Sequence, residues 1–221
     1  MSIFGQAGAM QQLDSQRKRL AISLAALAGF VDAIGFLAGG GYFVSFMSGN
    51  TTRLAVDIAT DPARALVPAL LIACFVVGVA AGALCGAGGI RRKQRVLALV
   101  ALLLGGAAAA GTLGAARAAT AGMALAMGAL NNVFQREGEV AVGVTYMTGA
   151  LVRAGQGLAA RLRGTGGRHW RDHARLWAGL ALGGVAGALA WQLFGIAAEW
   201  AACLWCGAVA ALAGTLPVPE R

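Results

Sequence analysis

The sequence predicts an all-α integral membrane protein: six transmembrane helices and two short re-entrant half-helices, arranged as two repeats of inverted topology. Three observations predict it: composition, a motif written twice, and the placement of the basic residues. Of 221 residues, 58% are hydrophobic and 12% charged, with a mean hydropathy of +0.70. That is too apolar and too sparsely charged for an ordinary soluble domain.

The elements follow in chain order. Residues 1–19 form a polar segment ending in Arg17-Lys18-Arg19, expected on the cytoplasmic side as the flank of a retained signal-anchor helix. Apolar runs long enough to cross about 30 Å of hydrocarbon are read at Leu20 to Leu37, Ala65 to Cys85, Val96 to Leu113, Ala118 to Phe134, Leu176 to Leu193 and Ala198 to Leu216. Between the first two runs lies "FVSFMSGNTTRLAVDIA", and after the fourth lies "VGVTYMTGALVRAGQGLA". Aligning Val44 to Ala55 with Val144 to Gly155 pairs Val44 with Val144, Met47 with Met147, Gly49 with Gly149 and Arg53 with Arg153; Ser45/Thr145, Phe46/Tyr146 and Ser48/Thr148 are close pairs. The same register sets Asp32 against Asn132. Gly78, Gly82 and Gly86 form one small-residue ladder and Gly179, Gly183 and Gly187 another. The chain therefore reads as a duplication, residues 20–114 and 115–216, followed by a tail, 217–221.

Positive charge gives the orientation. Leaving aside Arg53 and Arg153, 16 of the 18 basic residues remain. If both motif helices span, Arg91, Arg92, Lys93, Arg95 and Arg136 fall outside, a split of 11 to 5. If both are re-entrant, only Arg64 and Arg117 do, a split of 14 to 2. Re-entrant motifs fit better, and three crossings per half invert the halves. A motif helix from about Asn50 to Ala59 would rise about 15 Å, half the hydrocarbon thickness.

A helix that starts inside the membrane leaves backbone N–H groups that protein, water or a solute must satisfy. Ser48, Gly49 and Asn50 ahead of Thr51 are helix-start residues, and Thr148 and Gly149 repeat the pattern. Such a start, with Arg53 or Arg153 a turn further in, suits a carboxylate, a small anion or a strongly polar solute. Asp32, mid-span, needs a partner or water, and Arg53 is the expected one. Asn131, Asn132 and Gln135 supply amides in the second half, with Asn132 and Arg153 as the non-titrating counterpart. The competing reading of all these groups is interhelical hydrogen bonding without transport.

Other classes fit less well. The basic residues are scattered through short loops without interleaved aromatics, which disfavours nucleic acid. His169, Asp172 and His173 read as a basic interfacial segment beside Trp170 rather than a metal site. Cys74, Cys85, Cys203 and Cys206 lie in apolar runs; Cys203 and Cys206 form a CxxC that reads as packing, with thiol redox chemistry the alternative. No catalytic set, cofactor loop or metal cluster is legible, so no enzyme and no cofactor are expected. The expected partners are the lipid bilayer and a small polar or anionic solute, and homo-oligomerisation is left open.

"GFVDAIGF" ahead of "MSGN", and "GALNNVFQREG" ahead of "TYMTGAL", resemble the YoaK-like family of bacterial multi-pass inner-membrane proteins. That family carries Gly and Asp ahead of a TGN motif, and a Gln-Asn-Ala stretch ahead of TGxL. Here Ser48 replaces the Thr, and Asn131 and Val133 flank Asn132 in place of Gln and Ala. The resemblance covers nearly the whole chain and implies inner-membrane residence, with both termini cytoplasmic by the charge count, and no substrate. Function is thus expected as a transporter or channel, against a membrane scaffold or assembly protein and a thiol redox protein.

Overall fold

The computed structural model describes residues 14–86, 91–136, 139–140, 143–165 and 170–214. Most of the N-terminal segment, the C-terminal tail and His169 lie outside the described residues. Among those described there are eight helices: α1 Ser15–Ala38, α2 Met47–Thr60, α3 Leu66–Cys85, α4 Arg92–Thr112, α5 Ala116–Leu130, α6 Met147–Leu162, α7 Trp170–Phe194 and α8 Ala197–Ala213. A two-residue antiparallel pair, β1 Gln135–Arg136 and β2 Glu139–Val140, lies between α5 and α6.

By length and hydropathy α1, α3, α4 and α7 can cross a bilayer, while α5 and α8, with 15 and 17 residues, are shorter apolar helices. The fourth apolar run was expected to stay helical to Phe134 but stops at Leu130. There the Asn131 amide turns back to the Met127 carbonyl and the next N–H groups bond three residues back, which closes the helix in tight turns. The long helices carry exposed Leu66, Leu70, Val76, Val77 and Leu84 on α3, and Leu182, Val185, Leu189 and Leu193 on α7. Rows of apolar side chains pointing outward are what a lipid-facing surface requires. The chain is a multi-pass integral membrane protein in contact with the bilayer.

Contacts fix the helix directions. Gly179, Gly183 and Gly187 of α7 lie against the backbone at Ile22, Ala26 and Phe30 of α1, so α1 and α7 run parallel. Gly78 and Gly82 of α3 lie against Leu125 and Ala129 of α5, so that pair is parallel too. Each ladder helix thus packs on the first helix of the other half. An added Cβ on Gly183 would run into the Ala26 carbonyl oxygen, and one on Gly78 into that of Leu125, so only glycine permits these approaches. Gly29 faces the Leu180 backbone and Gly128 that of Phe75, so the first helices reciprocate. Lys18 and Asp172 join the starts of α1 and α7 in an ion pair at 2.7 Å.

The remaining pairs run oppositely. Gly39, at the end of α1, meets Thr120, near the start of α5. Cys206 and Cys203 of α8 donate to the Leu97 and Ala101 carbonyls of α4, while Ile196, just before α8, meets Gly111. α1, α4 and α7 therefore point one way and α3, α5 and α8 the other. Because α1 and α3 are antiparallel, the chain returns between them on the side it left.

Candidate functional site

The return is made by the stretch between α1 and α2. Gly40 and Gly41 have φ of 71° and 91°, a conformation open to glycine, and they reverse the chain at the end of α1. The chain then runs back along α1: the Phe43 ring packs on Phe36 with centroids 4.9 Å apart, and Val44 fills the space over Gly35. Extended backbone in an apolar setting needs partners for its N–H and C=O groups. Two side chains provide them. Asp32 Oδ1 accepts from Val44 N at 2.8 Å and Ser45 N at 2.7 Å. Asn50, fully buried, accepts from Phe43 N at 2.9 Å and donates to the Phe43 carbonyl at 2.6 Å.

Four expectations are corrected here. Asp32 does not pair with Arg53; its partners are backbone N–H groups, which the returning chain brings to it first. Arg53 instead lies over the rings of Tyr42, Phe36 and Phe43, at 5.4, 5.6 and 5.9 Å. Tyr42 donates to Asp57 at 2.7 Å, and that bond to a carboxylate holds the phenol above its ordinary range. Asn50 was expected to line a solute site, but it is spent on Phe43. The helix-start residues are not caps: α2 begins at Met47 behind Phe46, with no side-chain cap, so Ser48, Gly49 and Asn50 sit inside its first turn. Nothing breaks the helix before Pro62, so α2 has 14 residues rather than the expected ten, a rise of about 21 Å; α6 has 16 residues, a rise of about 24 Å.

The second motif is built differently. Thr145 donates to Asn131 Oδ1 at 3.1 Å, where the first half uses Asp32. Asn132, fully buried, donates to the Val79 carbonyl of α3 at 3.0 Å, while its own carbonyl accepts from Arg92 at 3.0 Å. It therefore ties three helices together. Ala150 occupies the position corresponding to Asn50. Gln135 lies in β1, and Arg153 sits near His173 of α7.

The two motifs meet. One cavity of about 500 Å³ is lined from the first by Asp32, Phe43, Ser45, Phe46, Met47 and Ser48, and from the second by Thr145, Tyr146, Met147, Thr148, Gly149 and Leu151. Phe75, Trp177 and Leu180 complete it. Of the expected site residues, Asp32, Ser48, Thr148 and Gly149 belong to this lining. Gly49, Asn50, Thr51, Arg53, Asn131, Asn132 and Arg153 do not. Gly49 is packed under the Phe46 and Phe43 rings. Thr51 returns its hydroxyl to the Met47 carbonyl on the exposed side of α2.

Sequence reasoning missed Ser45 and Thr145 as site residues, although their pairing in the repeat marked them, and missed the aromatic walls. It also passed over a second carboxylate in an apolar run. Glu199, in the first turn of α8, is 4% exposed, with Oε2 buried and, among the described residues, without a hydrogen-bond partner. Its place at the edge of an apolar run hid it.

The comparisons with known proteins agree in kind. The family described as "Protein of unknown function (DUF1275)" matches residues 20–212. The chain is 38% identical over 215 residues to "UPF0700 transmembrane protein RA0705" of Rhizobium meliloti (strain 1021), covering 93% of this chain and 92% of that one. No solved structure matches. With the family matched from the first helix almost to the end of the last, this chain belongs to the DUF1275 family of membrane proteins.

Proposed function

We propose that this protein is a transporter or channel for a small polar solute and not an enzyme, with its site where the two motifs meet. The observation that carries the reading is the shared cavity: residues from both halves converge on one space that holds a carboxylate, five hydroxyl side chains and open room at Gly149. Membrane-embedded ionisable groups facing a cavity tend to mark solute paths. The arginines that favoured an anion are absent from the lining, so the anionic part of the expectation loses its support.

In this reading the chain makes six crossings, α2 and α6 are re-entrant, and residues 20–114 and 115–216 are inverted repeats. The antiparallel course of α1 and α3 and the reciprocal glycine packing support that layout. We place the protein in the bacterial inner membrane with both termini cytoplasmic, on the distribution of basic residues. Purified protein in liposomes, assayed for flux of neutral, cationic and anionic metabolites, tests the function; no protein-dependent flux for any class would remove it.

The scaffold reading has one observation in its favour: Asp32 and Asn50 spend their hydrogen bonds on holding the chain between α1 and α2. The two readings part at Ser48 and Thr148, which hold no such role. Bulky substitutions there should block flux with folding intact if the cavity conducts.

A further inference from the structure

We propose that the cavity takes an amphipathic organic cation: an ammonium group carrying apolar substituents, with its head in the shared cavity and its tail in a groove between α1 and α7. The assignment names the solute class for the transport reading and rests on that reading only for the claim that the ligand moves.

Charge comes first. Among the described residues Asp32 is the one acidic side chain in the cavity wall, and no arginine or lysine accompanies it there. Asp32 Oδ1 accepts from the Val44 and Ser45 N–H groups, and an ionised carboxylate has about four acceptor positions, so the group can take a further donor. The first turns of α2 and α6 contribute about half a positive charge each, which Asp32 offsets. What tips the balance is the wall. Phe43, Phe46, Phe75, Tyr146 and Trp177 give one small cavity five aromatic rings. Ring faces are negative and attract ammonium groups most strongly when the cation carries little hydration, as a substituted ammonium does. An aromatic wall around a carboxylate suits that cation better than a strongly hydrated anion.

The groove supplies the second half of the ligand. A space of about 310 Å³ opens between α1 and α7, lined by apolar residues such as Phe36, Leu37 and Ala188. It shares Asp32, Phe43 and Leu180 with the main cavity, so the two spaces adjoin at the carboxylate. A polar chamber and an apolar slot meeting at one charge match a molecule with a cationic head and a short apolar tail.

The test uses the full chain in lipid nanodiscs, with empty discs as blanks, because detergent would compete. Methyl-, butyl- and octyltrimethylammonium are titrated by calorimetry beside butane- and octanesulfonate and a butyl sulfobetaine zwitterion. The expected result is butyltrimethylammonium binding at least about tenfold more tightly than butanesulfonate, and octyl more tightly than butyl by about tenfold or more, as burial of added methylenes requires. Trp177→Leu, which removes one ring from the wall and keeps an apolar side chain there, should weaken the cations several-fold. Ala188→Phe should remove the gain from the longer tail and leave the methyl compound unchanged. Equal or tighter binding of the sulfonates or the sulfobetaine, or no binding of any cation, overturns the assignment. A tail-length gain that survives Ala188→Phe overturns the groove. Cation binding without flux in liposomes would defeat transport and leave the ligand class standing; flux of another solute without cation binding would do the reverse.

Discussion

The two motifs share a scaffold and differ in how they hold it. In the first half a carboxylate and a buried amide, Asp32 and Asn50, satisfy three N–H groups and one carbonyl of a chain that runs back along α1. In the second half Asn131 accepts from the Thr145 hydroxyl and gives its amide to Met127 of its own helix, Ala150 replaces Asn50, and Asn132 bonds to α3. The repeat therefore preserves where the chain goes while leaving the charge on one side of the cavity. Motif identity alone did not report that difference, because the side chains that make these bonds are not among the four identical residues.

Substitution at Asn50 should break the comparison most severely. Asn50→Ala leaves a part-buried N–H and carbonyl of Phe43 unpaired, and unmet buried backbone groups cost about 1 to 3 kcal/mol each. The expected loss is about 2 to 5 kcal/mol in reversible unfolding in mixed micelles, whereas Ala150→Ser in the second half should change little. Equal effects would mean that the Phe43 clasp does not hold the first motif.

The paired glycines come next. A Cβ on Gly49 meets the Phe46 and Phe43 rings, while one on Gly149 meets nothing within 4 Å. Gly49→Ala should cost about 1 to 3 kcal/mol through overpacking. Gly149→Ala, at a helical site with room, should be neutral or gain up to about 1 kcal/mol. The same unfolding measurement reads both, and a loss at Gly149 matching that at Gly49 would contradict the asymmetry.

Asp32→Asn is a smaller step. The amide oxygen can still accept from Val44 and Ser45, so the change turns charge-assisted bonds into neutral ones, about 1 kcal/mol less stable. Loss of a buried ion pair would cost about 3 to 5 kcal/mol, and a drop of that size would restore Arg53 as the partner. Glu199→Gln should matter least, within about 1 kcal/mol, since Oε2 has no bond to lose; a larger loss would reveal a partner for that carboxylate.

Hydropathy made the long helices legible, and the spacing of Asp32, Ser48 and Thr148 marked the cavity. The glycine ladders were legible as close-packing surfaces, but not their partners, because nothing local says that α7 will seek α1. The Asp32 partner was misread for a similar reason. Opposite charges in an apolar chain invite pairing, yet the reversal at Gly40 and Gly41 delivers backbone N–H groups to the carboxylate and leaves Arg53 among aromatic rings. Asn50 looked like a helix cap because caps are local, and its real partner, Phe43, lies seven residues back in an extended strand of chain.

The central claim is that both motifs face one water-accessible cavity whose fixed charge comes from the first half alone. Thiol labelling tests it directly. In a background with Cys74, Cys85, Cys203 and Cys206 replaced, Ser48→Cys and Thr148→Cys are each reacted in membrane vesicles, opened so that both faces are reached, with small cationic and anionic thiol reagents of matched size. Both positions should label, the cationic reagent should react several-fold faster at both, and Asp32→Asn should remove that preference. Labelling at only one position, or an anionic preference that Asp32→Asn leaves unchanged, would contradict the shared cavity or its one-sided charge.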